Sequence, residues 1–439
     1  MNAGADARPV LLFAAPYFPP VYYGGVVQVY LGLLQRLPGY RIVVLADRHG
    51  LRDEDATGWD EIAQRDFGFE VRRIDAFEFH LRHAAEKRRA LRDLPLVGLL
   101  LQLYGFFQRG RSEWDALVRE LQPDLIVCGG TYSAAWLAMR HSEGTPMVNY
   151  LHGEELTMQV RPAVLMHWMR WVQMRSLRSA ALNIAVSDYT ASLSCELSGC
   201  DPNKMKLLAN FVDTRRFRVP EDRTALRRAM GWEDKCVILT LARLDPRKGI
   251  DQALRALARL HTANGLPENW IYVIAGRGKE QGNLAHLTKE LGIEDRVEFR
   301  GFVEDDAVAG LYQAADLFLQ PNREIDGDTE GFGVVFLEAN ACGLPVIGGT
   351  AGGTAAAIED GITGLRCDGD SVESIAAAVH KLCTDSELRS RMGRAGAKRA
   401  AEEFTVEQAA KRFEAMLRGL LEDRGKLQLA PAADALSHS

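Results

Sequence analysis

The 439-residue chain lacks a Cys-x-x-Cys pair, a membrane-length apolar run and any excess of basic side chains. Its seven cysteines (128, 195, 200, 236, 342, 367 and 383) are scattered and odd in number. That pattern speaks against a disulfide framework and predicts the reduced core thiols of a cytosolic protein. The net charge of −6 argues against broad nucleic-acid binding. The longest apolar stretch, Leu94–Phe107, is interrupted by Pro95 and Gln102. It falls short of the roughly 20 residues that a bilayer requires. Near the N-terminus the apolar run Val10–Ala15 is short and meets Pro16, Pro19 and Pro20, so it reads as a first buried strand and not as a signal peptide. A dinucleotide fingerprint is also missing. After Gly276-Arg277-Gly278 the third glycine comes at Gly282, one position late for G-x-G-x-x-G. A dehydrogenase is therefore disfavoured.

What is present is a globular composition, 47% hydrophobic and 26% charged, with length for two or three domains. Strand-like runs alternate with helical ones. In the first half they read VLLFAA, RIVVLA, LIVCGG, PMVNYLH and LNIAVS; in the second, VILTLA, WIYVIAG, RVEFRG, LFLQP and PVIGG. Runs this apolar suit strands buried on both faces of a parallel sheet. Between them, spacings such as Ile250, Leu254, Leu257 and Leu260 give a helix one apolar face. A doubly wound α/β pattern thus occurs twice, which predicts two Rossmann-like parallel-sheet domains facing a central cleft. The boundary is expected near Asn210–Trp232, a charged stretch carrying Pro220. Glu402–Leu421 reads as a last amphipathic helix, followed by a disordered tail at 422–439.

Two segments carry the chemistry. The first is Asp328–Glu338, DTEGFGVVFLE, in which Glu330 and Glu338 flank Gly331-Phe332-Gly333 and an apolar helix start at Val334. The glycines permit close backbone approach to a ligand. The helix behind them would aim unpaired N–H groups and a partial positive charge at an anion. Hydroxyl-rich groups on both sides of a diphosphate, as in a nucleotide sugar, match that arrangement. The second segment is Ala242–Gly249, where Arg243 and Lys248 follow the strand VILTLA. Ligands of open α/β sheets bind beyond strand C-termini. Taken alone, the two cations fit a solvated loop as well as a phosphate grip.

With these residues on the page, the sequence resembles the family 4 glycosyltransferases, retaining enzymes of the GT-B fold, over about 14–403. The resemblance rests on Glu330 and Glu338, on Arg243 and Lys248, on Gly24-Gly25 in PPVYYGGVVQVY and on His152 in NYLHGEE. VSDYT (186–190), NFVDTRRF (210–217) and GFVEDDAVAGLYQAADLFLQP (301–321) add to it. It implies an acceptor-binding domain at 1–212, a nucleotide-sugar-binding domain at 213–403, and a helix at 404–421 packing back on the first domain. Glu330 would bind the donor sugar's hydroxyls and Glu338 the ribose. Arg243, Lys248 and the backbone of Gly24, Gly25 and Gly331 to Val334 would neutralise the diphosphate. His152 would contact the sugar near the reacting centre. The base would lie near Arg277 and the backbone of Phe302 and Val303. Three positions depart from the family pattern: Ala242 and Phe211 replace common glycines, and Ala356 replaces a frequent acid.

The expected reaction moves a hexose, mannose or glucose, from a GDP- or UDP-linked donor to a sugar or lipid-linked sugar, in glycolipid or surface-polysaccharide synthesis. No cofactor is expected. Asp326-Gly327-Asp328 has an Asp-x-Asp form that could invite a hard cation, but Arg243 and Lys248 already supply the positive charge. Residues 82–107, basic and then apolar, read either as a helix pair with a solvated face or as a surface for the inner face of a membrane. A cytoplasmic enzyme is expected, with that peripheral contact as its membrane side. The rival readings are a nucleotide-sugar epimerase and an inactive nucleotide-sugar-binding regulator.

Overall fold

The computed structural model describes residues 8–20, 24–48, 53–74, 110–141, 144–157 and 163–425. Two wholly parallel sheets organise it. The first holds β1 (Val10–Ala14), β2 (Arg41–Asp47), β3 (Glu70–Ile74), β4 (Leu125–Cys128), β5 (Met147–Leu151), β6 (Leu182–Ala185) and β7 (Met205–Leu207), in the order β3-β2-β1-β4-β5-β6-β7. The second holds β8 (Cys236–Leu241), β9 (Trp270–Ala275), β10 (Val297–Gly301), β11 (Leu317–Gln320), β12 (Val346–Gly349) and β13 (Gly364–Cys367), in the order β10-β9-β8-β11-β12-β13. Both orders reverse beside their first strand, between β1 and β4 and between β8 and β11. Such switch points open crevices beyond the strand ends, where ligands bind.

The apolar runs follow from burial on both faces. On β1, Leu11 and Phe13 enter one core while Leu12 and Ala14 enter another. On β8, Val237 and Leu239 divide from Cys236 and Ile238 in the same way. The core that takes Phe13 and Val237 also takes Tyr150, Phe336 and Phe413, so it joins both halves. All ten expected strand runs are strands. Three more, β3, β7 and β13, were not anticipated, and all three lie at sheet edges. Their sequences, EVRRI, MKL and GLRC, are short or charged and carry little of the two-sided apolar signal.

The last helix spans Val406–Glu422, a few residues later than expected, because Thr405 caps it by accepting from the Gln408 N–H. A separate helix, Ser386–Glu403, precedes it. The last helix lies against the helix Gly25–Leu34 of the first half. Phe413 stacks on Tyr150 with ring centres 5.9 Å apart, and Arg36 meets Glu407 at 3.2 Å. Val212 bridges to Thr405, so the two chain crossings between the halves lie side by side. Among the described residues no helix is long and apolar enough to cross a membrane. The stretch 82–107 and residues 426–439 lie outside the described residues. All seven cysteines are free thiols.

Candidate active site

The loop after β8 and the loop after β11 meet at the second sheet's switch point. The first carries Arg243, Arg247 and Lys248, and the second carries Asn322, Asp328 and Glu330. Oxygen Oε2 of Glu330 accepts from Lys248 Nζ at 2.5 Å, from Asn322 Nδ2 at 3.0 Å and from Arg247 Nη1 at 3.1 Å. Oε1 of the same carboxylate has no recorded partner among the described residues. Burial pushes the Glu330 pKa up, but the Lys248 and Arg247 charges outweigh it and hold the carboxyl below its usual range. The group is therefore an anion at neutral pH, with one oxygen saturated and one left to meet a hydroxyl.

Gly331 brings the other half of the molecule to this carboxylate. A Cβ there would stand 2.0 Å from the carbonyl oxygen of His152, at the end of β5. Only a glycine admits that approach. Ser187 Oγ, at the N-terminus of the helix Asp188–Ser198, donates to the Gly331 carbonyl at 2.7 Å. Gly333 has φ of 88° and starts the helix Val334–Ala341, which has no side-chain cap. The Phe336 amide donates to the Gly333 carbonyl at 3.0 Å, which leaves the two amides before it, of Val334 and Val335, to face an anion. The Phe332 ring turns away into the core, 6.4 Å from Phe404, so its backbone alone faces the loop.

His152 lies with Tyr150 and Tyr30 around it, at ring-centre distances of 4.7 and 5.3 Å. Neither ring nitrogen has a partner among the described residues. Burial lowers its pKa to about 3, so it is a neutral imidazole with a donor and an acceptor to offer. Glu155 holds this turn by accepting the His152 N–H at 2.8 Å. Tyr30 belongs to the helix that begins at Gly24-Gly25. Among the described residues a Cβ on either of those glycines would meet nothing within 4 Å.

Arg243, Glu338 and Arg277 make other contacts. Arg243 is exposed and pairs with Asp245 in its own loop. Glu338 is half-buried on the helix behind Gly333 and accepts from Tyr312 Oη at 3.0 Å. Burial raises its pKa to about 7, against the opposing Tyr312 hydrogen bond and Arg216 charge. Arg277 lies over the exposed Phe302 ring at 5.7 Å, next to Val303. Asp328 faces Arg247 at 3.4 Å and Thr157 at 3.4 Å. Among the described residues no group of three His, Cys, Asp or Glu side chains is placed to hold a metal.

Arg247, Asn322 and Glu154 join the Glu330 cluster, Tyr312 supports Glu338, and none of the four was expected as a site residue. Arg247 stood beside Lys248 in the motif, and Tyr312 lay inside the segment 301–321. Glu154 has no signal of its own. It enters because Arg247 Nη2 reaches its Oε1 at 2.6 Å across the cleft.

Comparison with known proteins agrees with this geometry. The family described as Glycosyltransferase Family 4 matches residues 23–216, and that described as Glycosyl transferases group 1 matches residues 222–399. A GDP-mannose-dependent alpha-(1-6)-phosphatidylinositol monomannoside mannosyltransferase of Mycolicibacterium smegmatis is 31% identical over 318 residues, which is 71% of this chain and 81% of that one. A D-inositol 3-phosphate glycosyltransferase of Acidothermus cellulolyticus is 35% identical over 206 residues, 45% of this chain and 44% of that one. The crystal structure of HepE from Anabaena in complex with UDP superposes with a TM-score of 0.72 at 20% identity, covering 94% of this chain and all of that one. The paired parallel sheets and that likeness give the GT-B fold. The chain belongs to the family 4 glycosyltransferases and is a glycosyltransferase.

Proposed function

We propose that the protein transfers a hexose, mannose ahead of glucose, from a GDP- or UDP-linked donor to a hydroxyl of a sugar or lipid-linked sugar, with retention at the anomeric carbon. The observation that carries this reading is the Glu330 carboxylate, whose one oxygen is saturated by Lys248, Arg247 and Asn322 and whose other has no partner among the described residues. That other oxygen suits a donor hydroxyl. Lys248, Arg243 and the amides after Gly333 suit the diphosphate. Cleaving the sugar–phosphate bond builds positive charge on the ring and negative charge on the phosphate. Donors arranged in advance at the phosphate stabilise that change.

The individual roles carry over from the family resemblance. His152, neutral and unpartnered, hydrogen-bonds the sugar. Glu338 takes the ribose, while Arg277 and the Phe302–Val303 backbone border the base. Gly24 and Gly25 admit the diphosphate from the first half. Residues 1–212 supply the acceptor and 213–403 the donor, with closure excluding water. Three hydrogen bonds to one oxygen make Glu330 a poor nucleophile, so retention proceeds by front-face attack, the leaving phosphate taking the acceptor's proton. The mannose preference and the glycolipid role draw on the names of the relatives. The cytoplasm, with contact to the membrane's inner face, is the setting this reading implies.

Incubation with GDP-mannose and UDP-glucose, each with a lipid-linked acceptor, tests the proposal by mass spectrometry and NMR of the product. An α-linked product from an α-linked donor is expected. An inverted linkage removes retention, and a glycosyl ester trapped on Glu330 removes front-face attack. No transfer, together with no thermal shift from UDP, GDP, ADP or dTDP, removes the function.

A further inference from the structure

We propose that Arg247 is a positioning residue: it straps Glu330 of the second half to Glu154 of the first, and holds the Glu330 carboxylate in place when Lys248 turns to the diphosphate. The inference rests on the sugar-facing role given to Glu330 above.

The guanidinium is only 5% exposed and is ringed by three carboxylates. Nη1 lies 3.1 Å from Glu330 Oε2, Nη2 lies 2.6 Å from Glu154 Oε1, and Nε lies 3.4 Å from Asp328 Oδ2. Glu154 and Asp328 reinforce the positive charge of Arg247, whose pKa they and Glu330 raise against the opposing effect of burial. A planar guanidinium holds its donors in fixed directions, so one rigid group can grip two carboxylates at once.

The need for the strap comes from Lys248. The same Nζ that pairs with Glu330 at 2.5 Å is the cation nearest to hand for a diphosphate. A donor that draws Lys248 toward its phosphates takes one of two cations from a carboxylate whose side chain is 12% exposed. Arg247 is the second. Its grip on the same oxygen keeps Glu330 ionised and aimed, and the oxygen that faces the hydroxyl stays free. Its other edge ends on Glu154, two residues after His152. The sugar-facing carboxylate is thereby tied to the turn that carries the sugar-facing imidazole. Closing the cleft and setting Glu330 become one event.

The groups facing Glu330 are few. Lys248 and Arg247 come from one loop and neutral Asn322 from the other, with Asp328 and Glu154 behind Arg247. His152, uncharged above pH of about 3, adds no charge.

The test compares the full chain with Arg247→Gln, Arg247→Lys and Glu154→Gln. All forms carry Glu338→Gln, which removes the carboxyl raised to about 7, so that the acid limb of kcat/KM reports the ionisation of Glu330 in the free enzyme. Arg247→Gln should move that limb up by about one pH unit, since Glu330 keeps a single cation. Nucleoside diphosphate affinity should change less than about twofold, because the guanidinium is spent on Glu330, Glu154 and Asp328 and the proposed reading gives it no nucleotide contact. Arg247→Lys should return the limb toward its original position. Glu154→Gln should leave the limb alone but speed hydrogen exchange of the amides of 153–157, as should Arg247→Gln. A merely structural role would lower Tm and leave the limb fixed. A limb that superposes on the unaltered profile in Arg247→Gln, or unchanged exchange at 153–157, overturns the proposal. If the unaltered chain transfers no sugar from any donor, the proposed function fails instead, and the exchange measurement still decides the strap.

Discussion

Gly331→Ala isolates one close backbone contact between the two halves. Gly331 does not have a left-handed φ, so alanine there suffers no backbone penalty. What it meets is space. Its Cβ would stand 2.0 Å from the His152 oxygen, 3.0 Å from the carbon of that carbonyl and 3.2 Å from Gly153 Cα. All three are backbone atoms, so no side chain can swing aside. Restoring an ordinary 3.4 Å contact requires the β5 turn and the Glu330 loop to part by about 1.4 Å. A displacement near 1 Å between reacting groups costs on the order of 100-fold in rate. The clash is relieved by slight opening of the cleft, so the stability loss should lie at the low end of the roughly 1–3 kcal/mol typical of overpacking. Steady-state kinetics, calorimetry with the nucleoside diphosphate and thermal melting read the three effects apart. Turnover should fall about 100-fold, nucleotide affinity less than about threefold, and Tm by only a few degrees. Activity within about threefold of the unaltered protein would refute the reasoning. Equal losses in turnover and nucleotide affinity would place the damage within the second half and not across the cleft.

The other predictions concern charge. Lys248→Ala should weaken nucleoside diphosphates about 10- to 100-fold and the free nucleoside hardly at all, by calorimetry. Equal weakening of both would remove the phosphate assignment. Glu330→Ala should cost turnover at least about 100-fold with nucleotide affinity nearly intact, and equal losses would contradict its sugar-side role. Glu338 has a folded-state pKa raised to about 7 by burial. Its protonated form therefore favours the folded state below the unfolded carboxyl value, and that advantage is lost as pH rises through about 7. Without nucleotide, Tm should fall between pH 5 and pH 8, and Glu338→Gln should flatten the fall. An unchanged slope in the variant would show that Glu338 is not the source.

Much of this was legible in the sequence because it is written in backbone needs. Central strands buried on both faces produce continuous apolar runs, and nine of the ten expected runs are such strands, the edge strand β10 being the exception. Edge strands have a solvated side, so EVRRI and GLRC gave no comparable signal. Glu330, Lys248 and Gly331 were visible as a motif within one half. The partners across the cleft were not. Glu154 and Arg247 are separated by 93 residues and meet only because two sheets face each other. Likewise, Tyr312 beneath Glu338 reads in sequence as one more apolar position of a helix. Phe211, a departure from the family pattern, lies against Gly32 and beside the last helix's Val406, a packing role no local pattern announces.

The return of the last helix to the first half bears on how the chain is made. Glu407 lies 371 residues beyond Arg36, the side chain it pairs with. Phe413, which covers Tyr150 behind His152, emerges later still. At roughly 5–20 residues per second, a ribosome takes on the order of 20 seconds to more than a minute to deliver that covering helix. Through that interval the nascent first half exposes the apolar side of its opening helix. A stop codon just before Val406 would leave the packing behind His152 unfinished although every candidate site residue had been synthesised.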